Sequence, residues 1–460
     1  MKTIFIIFAV AVMTVIFASY YFSESPWDTP AFSNDSEALV TRKISSNLSL
    51  LDDLQQKGGF LYVEKDKKTA KIPGLYTSQV GLQGLILNAT QKILRADADN
   101  FIGFSRIFFS LFSALVLGLI LLTVWNEFGW ITSLISLFLI ISSFWVVAFA
   151  KNLYWAEFTM LLPLAAGWYV YPKLIKRRKP FANYLLITTI LVLVKSLNGY
   201  EYITNIILGA SIGPLYYELA NKVRTKILAQ KILLIIFSGI AGFLIAYLIH
   251  YLQLFLFTHD FQKSFDLLTE RAVIRTLGNN PYITGCDFSN YFIVILKYLN
   301  AQSLFRTHIP LVWMLGAYAI GIVPLIPFCF NKIISAATII LSIVLIISSF
   351  GIDLFLGRPG FGITQLVLAL GGVALLFYGV VSIFNIRIEK SDKLIRLAIS
   401  TTWALISTFS WVILAKNHMT CHIHINPIVF YLPFGITLFI FLGYWLDFLL
   451  TSARSRLGKI

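Results

Sequence analysis

The first polar stretch of the chain, Ser25 to Glu37, carries Asp28, Asp35 and Glu37. A carboxylate held beside a bilayer can take a proton from a hydroxyl as a general base, or bind a divalent cation. A solvated acidic loop is the alternative. Lys151 and Glu157 bracket Asn152-Leu153-Tyr154-Trp155-Ala156, and Lys195 and Glu201 bracket Ser196-Leu197-Asn198-Gly199-Tyr200. Each pair either closes a hairpin as an ion pair between Tyr and Trp anchors, or lines an outward polar cavity where the lysines meet a phosphate. Arg271 and Arg275 stand four apart, the spacing of one helix face. Arg358 stands in the turn Gly357-Arg358-Pro359-Gly360. A guanidinium fork fits phosphate oxygens, and anchoring to lipid headgroups is the other reading of Arg358. His418, His422 and His424 fall within seven residues, with Cys421 among them. Zinc accepts both residue types, but the spacing matches neither a finger nor an HExxH helix. These imidazoles are expected to bond a phosphate or a sugar, with a plain polar loop as the alternative. No cofactor is required by this set. A divalent cation, Mg or Mn, would favour Asp35 and Glu37.

Membrane spans must position these residues. The chain of 460 residues is 58% hydrophobic and 13% charged, with a mean hydropathy of +0.78. A water-soluble fold cannot bury that much apolar surface, so the fold class is an all-α polytopic membrane protein. The net charge of +15 does not mark a nucleic-acid partner, because the basic residues lie between apolar runs. Three cysteines, Cys286, Cys329 and Cys421, form no CxxC pair. Cys286 and Cys421 both fall on the outer side and could pair.

Residues 1–22 read as a first transmembrane helix. Residues 23–100 read as an extracytoplasmic loop with two amphipathic helices, one marked by Leu48, Leu50, Leu51 and Leu54, the other by Val80 to Leu94. Residues 101–257 form a transmembrane bundle, 258–308 a second extracytoplasmic loop, and 309–460 a C-terminal bundle with a basic tail. Eleven spans follow the first, near 101–124, 130–150, 155–172, 181–198, 202–219, 232–257, 309–330, 333–351, 362–384, 396–416 and 427–447, each close to the ~20 residues that cross a bilayer. With the N-terminus inside, the basic clusters at 173–179, 222–231, 387–396 and 454–459 all fall inside, as the positive-inside rule demands. About twelve spans with both termini cytoplasmic result, and a bacterial inner membrane is the expected location.

No Walker loop, no GxGxxG after a strand, no GxSxG and no TVGYG string occurs. Nucleotide-driven pumping is therefore not expected. The layout resembles the membrane glycosyltransferases of the C-type fold (GT-C), such as protein O-mannosyltransferases and lipid A aminoarabinose transferases. It shares with them a first span, a long outer loop opening with acidic residues, paired surface helices and a large bundle. The string Tyr76-Thr77-Ser78-Gln79-Val80-Gly81-Leu82-Gln83-Gly84 also looks like strings in bacterial membrane proteins of this type. The resemblance implies a donor sugar on a polyprenyl phosphate, an acceptor of unspecified identity, and the acceptor-site acid at Asp35 with Glu37 beside it. It also implies outer cations at the donor phosphate, for which Lys195, Arg271, Arg275 and Arg358 are the candidates. The family often carries adjacent acidic residues, whereas Ser36 separates them here. A lipid-linked glycan polymerase or ligase, and a transporter or flippase of lipid-linked substrates, are the alternative functions.

Overall fold

The computed structural model describes residues 1–19, 36–63, 72–276, 298, 302–304, 309–322, 392–415, 418–419 and 425–457. They are almost entirely helical, with two short two-stranded hairpins. Among the described residues, six helices are long and apolar enough to cross a membrane. The architecture is that of an all-α membrane protein. The expected spans at 333–351 and 362–384, and the helix expected at Tyr291–Leu299 apart from Tyr298, lie outside the described residues.

The first span is α1 (Lys2–Ser19). The first loop then folds into α2 (Ala38–Ile44), α3 (Leu50–Lys57), the hairpin β1 (Leu61–Tyr62) with β2 (Leu75–Tyr76), and α4 (Leu82–Leu94). Local chemistry sets the ends of α3. The Ser49 hydroxyl accepts from the Asp52 amide at 3.2 Å, and Gly58 closes the helix at φ 59°. Lys43 holds the loop together. It is fully buried and donates to Asp53 Oδ2, Gly59 O and Phe60 O, each at 2.8 Å. All three ammonium protons thus have partners, which offsets much of the cost of burying the charge. Burial pulls the Lys43 pKa down, and the Asp53 carboxylate opposes that pull.

In α4 the usual pattern is reversed. Gln83, Asn88 and Gln91 are buried, whereas Ile86, Ile93 and Leu94 are exposed. A helix with its polar face inward and its apolar face outward suits lipid on the outside.

The bundle follows. α5 (Ala98–Phe128) is capped by Asp97 and packs along α1. The expected span 130–150 divides into α6 (Trp130–Ser142) and α7 (Phe144–Ala150). The break falls at Ser143, which forms a β-bridge with Leu304 of the second loop. Every residue of α7 is buried. α8 (Glu157–Ala165) runs through a π-helical turn at Ala166–Val170 into α9 (Tyr171–Lys176). α10 (Phe181–Asn198) matches its expected span. The expected span 202–219 is interrupted at Ala210-Ser211, between α11 (Ile203–Gly209) and α12 (Ile212–Ala220). Gly167 and Gly213 let this break meet the π turn, because a Cβ on Gly213 would lie 2.2 Å from Gly167 O.

α13 (Thr225–Thr258) packs on α10, and α14 (Phe261–Thr276) follows it. The strands β3 (Gln302–Leu304) and β4 (Ile309–Pro310) lead into α15 (Leu311–Ile322). α16 (Asp392–Leu414) and α17 (Ile436–Leu457) complete the bundle, with irregular 3-10 and π turns at 426–435 before α17. Asn205 of α11 ties these turns to α16. Its amide donates to Val429 O at 3.0 Å and to Leu432 O, and its oxygen accepts from Ser407 at 2.8 Å.

Two polar layers mark the ends of the bundle. At one end Lys2 donates to Asn126, Tyr216 donates to Glu127, Lys393 donates to the Glu127 carbonyl, and Lys231 pairs with Glu218. At the other end Arg106 of α5 pairs with Glu37. Arg106 and Asn126 are twenty residues apart on α5, about 30 Å at 1.5 Å per residue, the thickness of a hydrocarbon core.

Candidate functional site

The candidate site is the polar layer around Arg106. Glu37 is buried and opens the turn leading into α2. Arg106 grips its carboxylate with both arms, Nε to Oε1 at 3.2 Å and Nη2 to Oε2 at 2.9 Å. The amide of Leu153 adds a third bond to Oε1 at 3.1 Å. Such a bidentate charge-assisted pair is strong and directional. It clamps the start of the first-loop fold onto the turn between α7 and α8. That turn is itself fixed, because Asn152 Oδ1 accepts from the amides of Tyr154 and Trp155 at 3.0 and 3.1 Å.

Tyr154 connects the clamp to the second turn. Its hydroxyl lies 3.1 Å from Gln79 Oε1, 3.1 Å from Glu201 Oε1 and 3.3 Å from the Tyr76 hydroxyl. The hydroxyl thus sits between two acceptor oxygens with one proton to give. Gln83 donates to the Tyr154 carbonyl at 2.9 Å. Across the cluster, Lys195 is buried and donates to the Gly199 carbonyl at 2.6 Å. Gly199 is required by space: a Cβ there would stand 2.5 Å from Glu201 Oε2 and 2.8 Å from Gln79 Oε1. Ala156 (φ 45°) and Tyr202 (φ 61°) hold left-handed backbone at the two turns. Non-glycine residues adopt it at a cost, and such outliers gather at functional sites.

The structure thus brings together Glu37, Lys195 and Glu201 of the expected set. Lys151 opens the same turn as the clamp, but no ion pair joins it to Glu157. The Glu157 carboxylate is fully buried with no hydrogen-bond partner on either oxygen. The hairpin-closing Lys151–Glu157 pair weighed from the sequence is therefore not formed, because the buried Glu157 side chain turns into the bundle. His418 is buried, its ring 6.4 Å from that of Tyr202 and 5.8 Å from that of Trp411. The Tyr298 hydroxyl donates to the neighbouring Met419 carbonyl, which brings the second loop to the histidine segment. Arg271 and Arg275 fall on α14, the helix their spacing predicts. Asp28, Asp35, Arg358, His422, His424, Cys286 and Cys421 lie outside the described residues.

Sequence reasoning missed Arg106, Tyr76, Gln79, Tyr154 and His250. His250 of α13 is buried against the rings of Tyr200 (5.7 Å) and Phe60 (6.3 Å), with no hydrogen-bond partner on either nitrogen. Its signal was available, since it is an ionisable residue inside an apolar span. Tyr76 and Gln79 sit in the string noted above, but nothing in its spacing reveals a partner 75 residues away.

Among the described residues, no three His, Cys, Asp or Glu side chains gather as metal ligands. Both Glu37 oxygens already hold Arg106 and Leu153, so a divalent ion there would have to displace a guanidinium. No protein-family model, no curated protein and no solved structure matches this chain.

Proposed function

We propose that the chain is a membrane glycosyltransferase that moves a sugar from a polyprenyl-phosphate-linked donor to an acceptor on the extracytoplasmic face. The observation that carries this reading is the Glu37–Arg106–Leu153 clamp, which fastens the acidic first loop beside the Tyr154–Glu201–Gln79 network and buried Lys195. In this reading Glu37 anchors, and Asp35, two peptide units upstream, acts as the base. Asp35 takes the proton of the acceptor hydroxyl as its oxygen attacks the anomeric carbon. The bond from that carbon to the phosphate oxygen breaks, its electron pair stays on the phosphate, and the anomeric centre inverts. Lys195, with Lys151, Arg271, Arg275 and Arg358, would supply cations for the leaving phosphate. The site then faces the periplasm of a bacterial inner membrane, with both termini cytoplasmic.

The test is transfer from a polyprenyl-phosphate sugar by reconstituted protein. Asp35→Asn abolishes transfer while insertion and folding are kept. Full activity in that variant removes the proposed base. A polymerase or ligase of lipid-linked glycans would depend on Arg271 and not on Asp35, so Arg271→Ala separates the two.

One observation favours a second reading, a transporter or flippase. The breaks at Ala210-Ser211 and at 426–435 face each other inside the bundle, and paired discontinuous helices are the usual sign of a translocation site. Lipid-linked substrate crossing to the far leaflet with no new glycosidic bond would establish it.

A further inference from the structure

The end of the bundle away from the candidate site carries charge that the proposed transfer does not use. Glu218 of α12 ties four helix ends together there. It accepts from Lys231 of α13 at 2.8 Å and from the Tyr171 hydroxyl of α9, and Lys231 lies 5.7 Å from the ring of Phe181, which opens α10. The α9–α10 and α12–α13 turns therefore leave the bundle side by side, each within roughly 10 Å of this hub along its helices at 1.5 Å per residue. The first turn brings Lys173, Lys176, Arg177, Arg178 and Lys179, and the second brings Lys222, Arg224 and Lys226. All are exposed, and residues 172–180 and 221–230 contain no Asp or Glu. None of these cations forms an ion pair with a carboxylate among the described residues.

Topology asks only for surplus cations at this end, and residues scattered over its turns would supply them. Here two turns distant in sequence pool theirs on one surface, where like charges repel. An anion relieves that repulsion, and the surroundings of the cations say which kind. Ile175 and Ile227 stand exposed among them, apolar surface for which a free anion has no use. The Lys173 ammonium lies 3.3 Å from the centre of the Tyr169 ring, which holds that charge against the bundle wall. Past the turns, α10 and α13 pack together, and their exposed residues include Leu186, Ile190, Leu233 and Phe237. Negative charge over the turns and acyl chains along that wall describe an anionic phospholipid.

We propose that the α9–α10 and α12–α13 turns together bind the headgroup of an anionic phospholipid, at the end of the bundle opposite the candidate site. The inference does not depend on the transferase reading. The purified full chain in neutral detergent micelles is titrated with dansyl-labelled phosphatidylglycerol or phosphatidylcholine, and energy transfer from tryptophan reports binding. Phosphatidylglycerol should half-saturate at a mole fraction about tenfold or more below that of phosphatidylcholine. K176Q/R177Q on one turn and K222Q/R224Q on the other should each raise the phosphatidylglycerol value about tenfold or more, at roughly fivefold per cation near a lipid surface. K57Q/R95Q, which removes the same charge from the first loop, should leave it unchanged. If a pair fails to fold, its lysine alone is neutralised, and about a fivefold rise is expected. Equal binding of the two lipids, undiminished affinity in the variant of either turn, or an equal loss in K57Q/R95Q overturns the site. So does displacement of phosphatidylglycerol by inorganic phosphate at the lipid's own concentration, which would make the turns a site for a soluble anion.

Discussion

Two carboxylates separated by a single serine have different duties in this account, and hydrogen bonding divides them. Glu37 holds Arg106 and Leu153 through three hydrogen bonds, so its part is to fasten the loop. Its loss should therefore be felt in stability. Glu37→Gln should lower the unfolding free energy by about 1.5–3 kcal/mol, the range for hydrogen bonds to charged groups, as read by denaturant titration, while Asp35→Asn leaves it unchanged. The second residue-scale prediction concerns Tyr62, whose hydroxyl donates to Asp53. Burial, reinforced by that carboxylate, raises the phenol's pKa above its ordinary 10.0. Above pH 10 the unfolded chain then releases this proton while the folded chain keeps it, so stability falls as pH rises. Tyr62→Phe should flatten that alkaline loss in melting curves taken between pH 9 and pH 11. At this scale the sequence revealed residue types and little of partnership. Glu37 was legible as an acid beside a membrane, but Arg106, 69 positions away, was hidden because pairing across a bundle leaves no local spacing to read.

Elements were more legible, for reasons of periodicity. α3, α4 and α10 lie where apolar patterning places them. The divided spans were not legible, because hydropathy records only that a residue is apolar. It cannot register that α7 turns away from α6 at Ser143, or that the backbone reverses its regularity at Ala210-Ser211. Each break meets a partner distant in sequence, Leu304 at one and Gly167 at the other. Glycines decide how closely helices meet. A Cβ on Gly242 would stand 2.3 Å from Thr189 O, whereas one on Gly103 meets nothing within 4 Å. Gly242→Ala should therefore force α10 and α13 apart at a cost of about 1–3 kcal/mol. Gly103→Ala should stabilise α5 by about 0.5–1 kcal/mol through helix propensity. Paired thermal melts of the two variants check both signs.

At the scale of the whole molecule, the alternating charge pattern and the fold agree on which residues share an end. Glu37, Lys195, Glu201 and His418 gather in one layer. Lys2, Lys231 and Lys393 gather in the other, about 30 Å away along α5. In the orientation we propose, which follows the positive-inside rule, the second layer lies on the cytoplasmic side. A cysteine placed at Arg178 should react with an impermeant thiol reagent only after the membrane is opened, and one placed at Lys263 should react in intact cells. The reverse pattern would put the site on the cytoplasmic side. The central claim, that the layer around the Glu37 clamp transfers a sugar, is tested most directly by single-turnover transfer from a polyprenyl-phosphate sugar in proteoliposomes. The account predicts a new glycosidic bond with inverted configuration in wild type and in a folded Glu37→Gln protein, and none with Asp35→Asn. Undiminished transfer by Asp35→Asn, or movement of the intact lipid-linked sugar between leaflets with no bond formed, would contradict it.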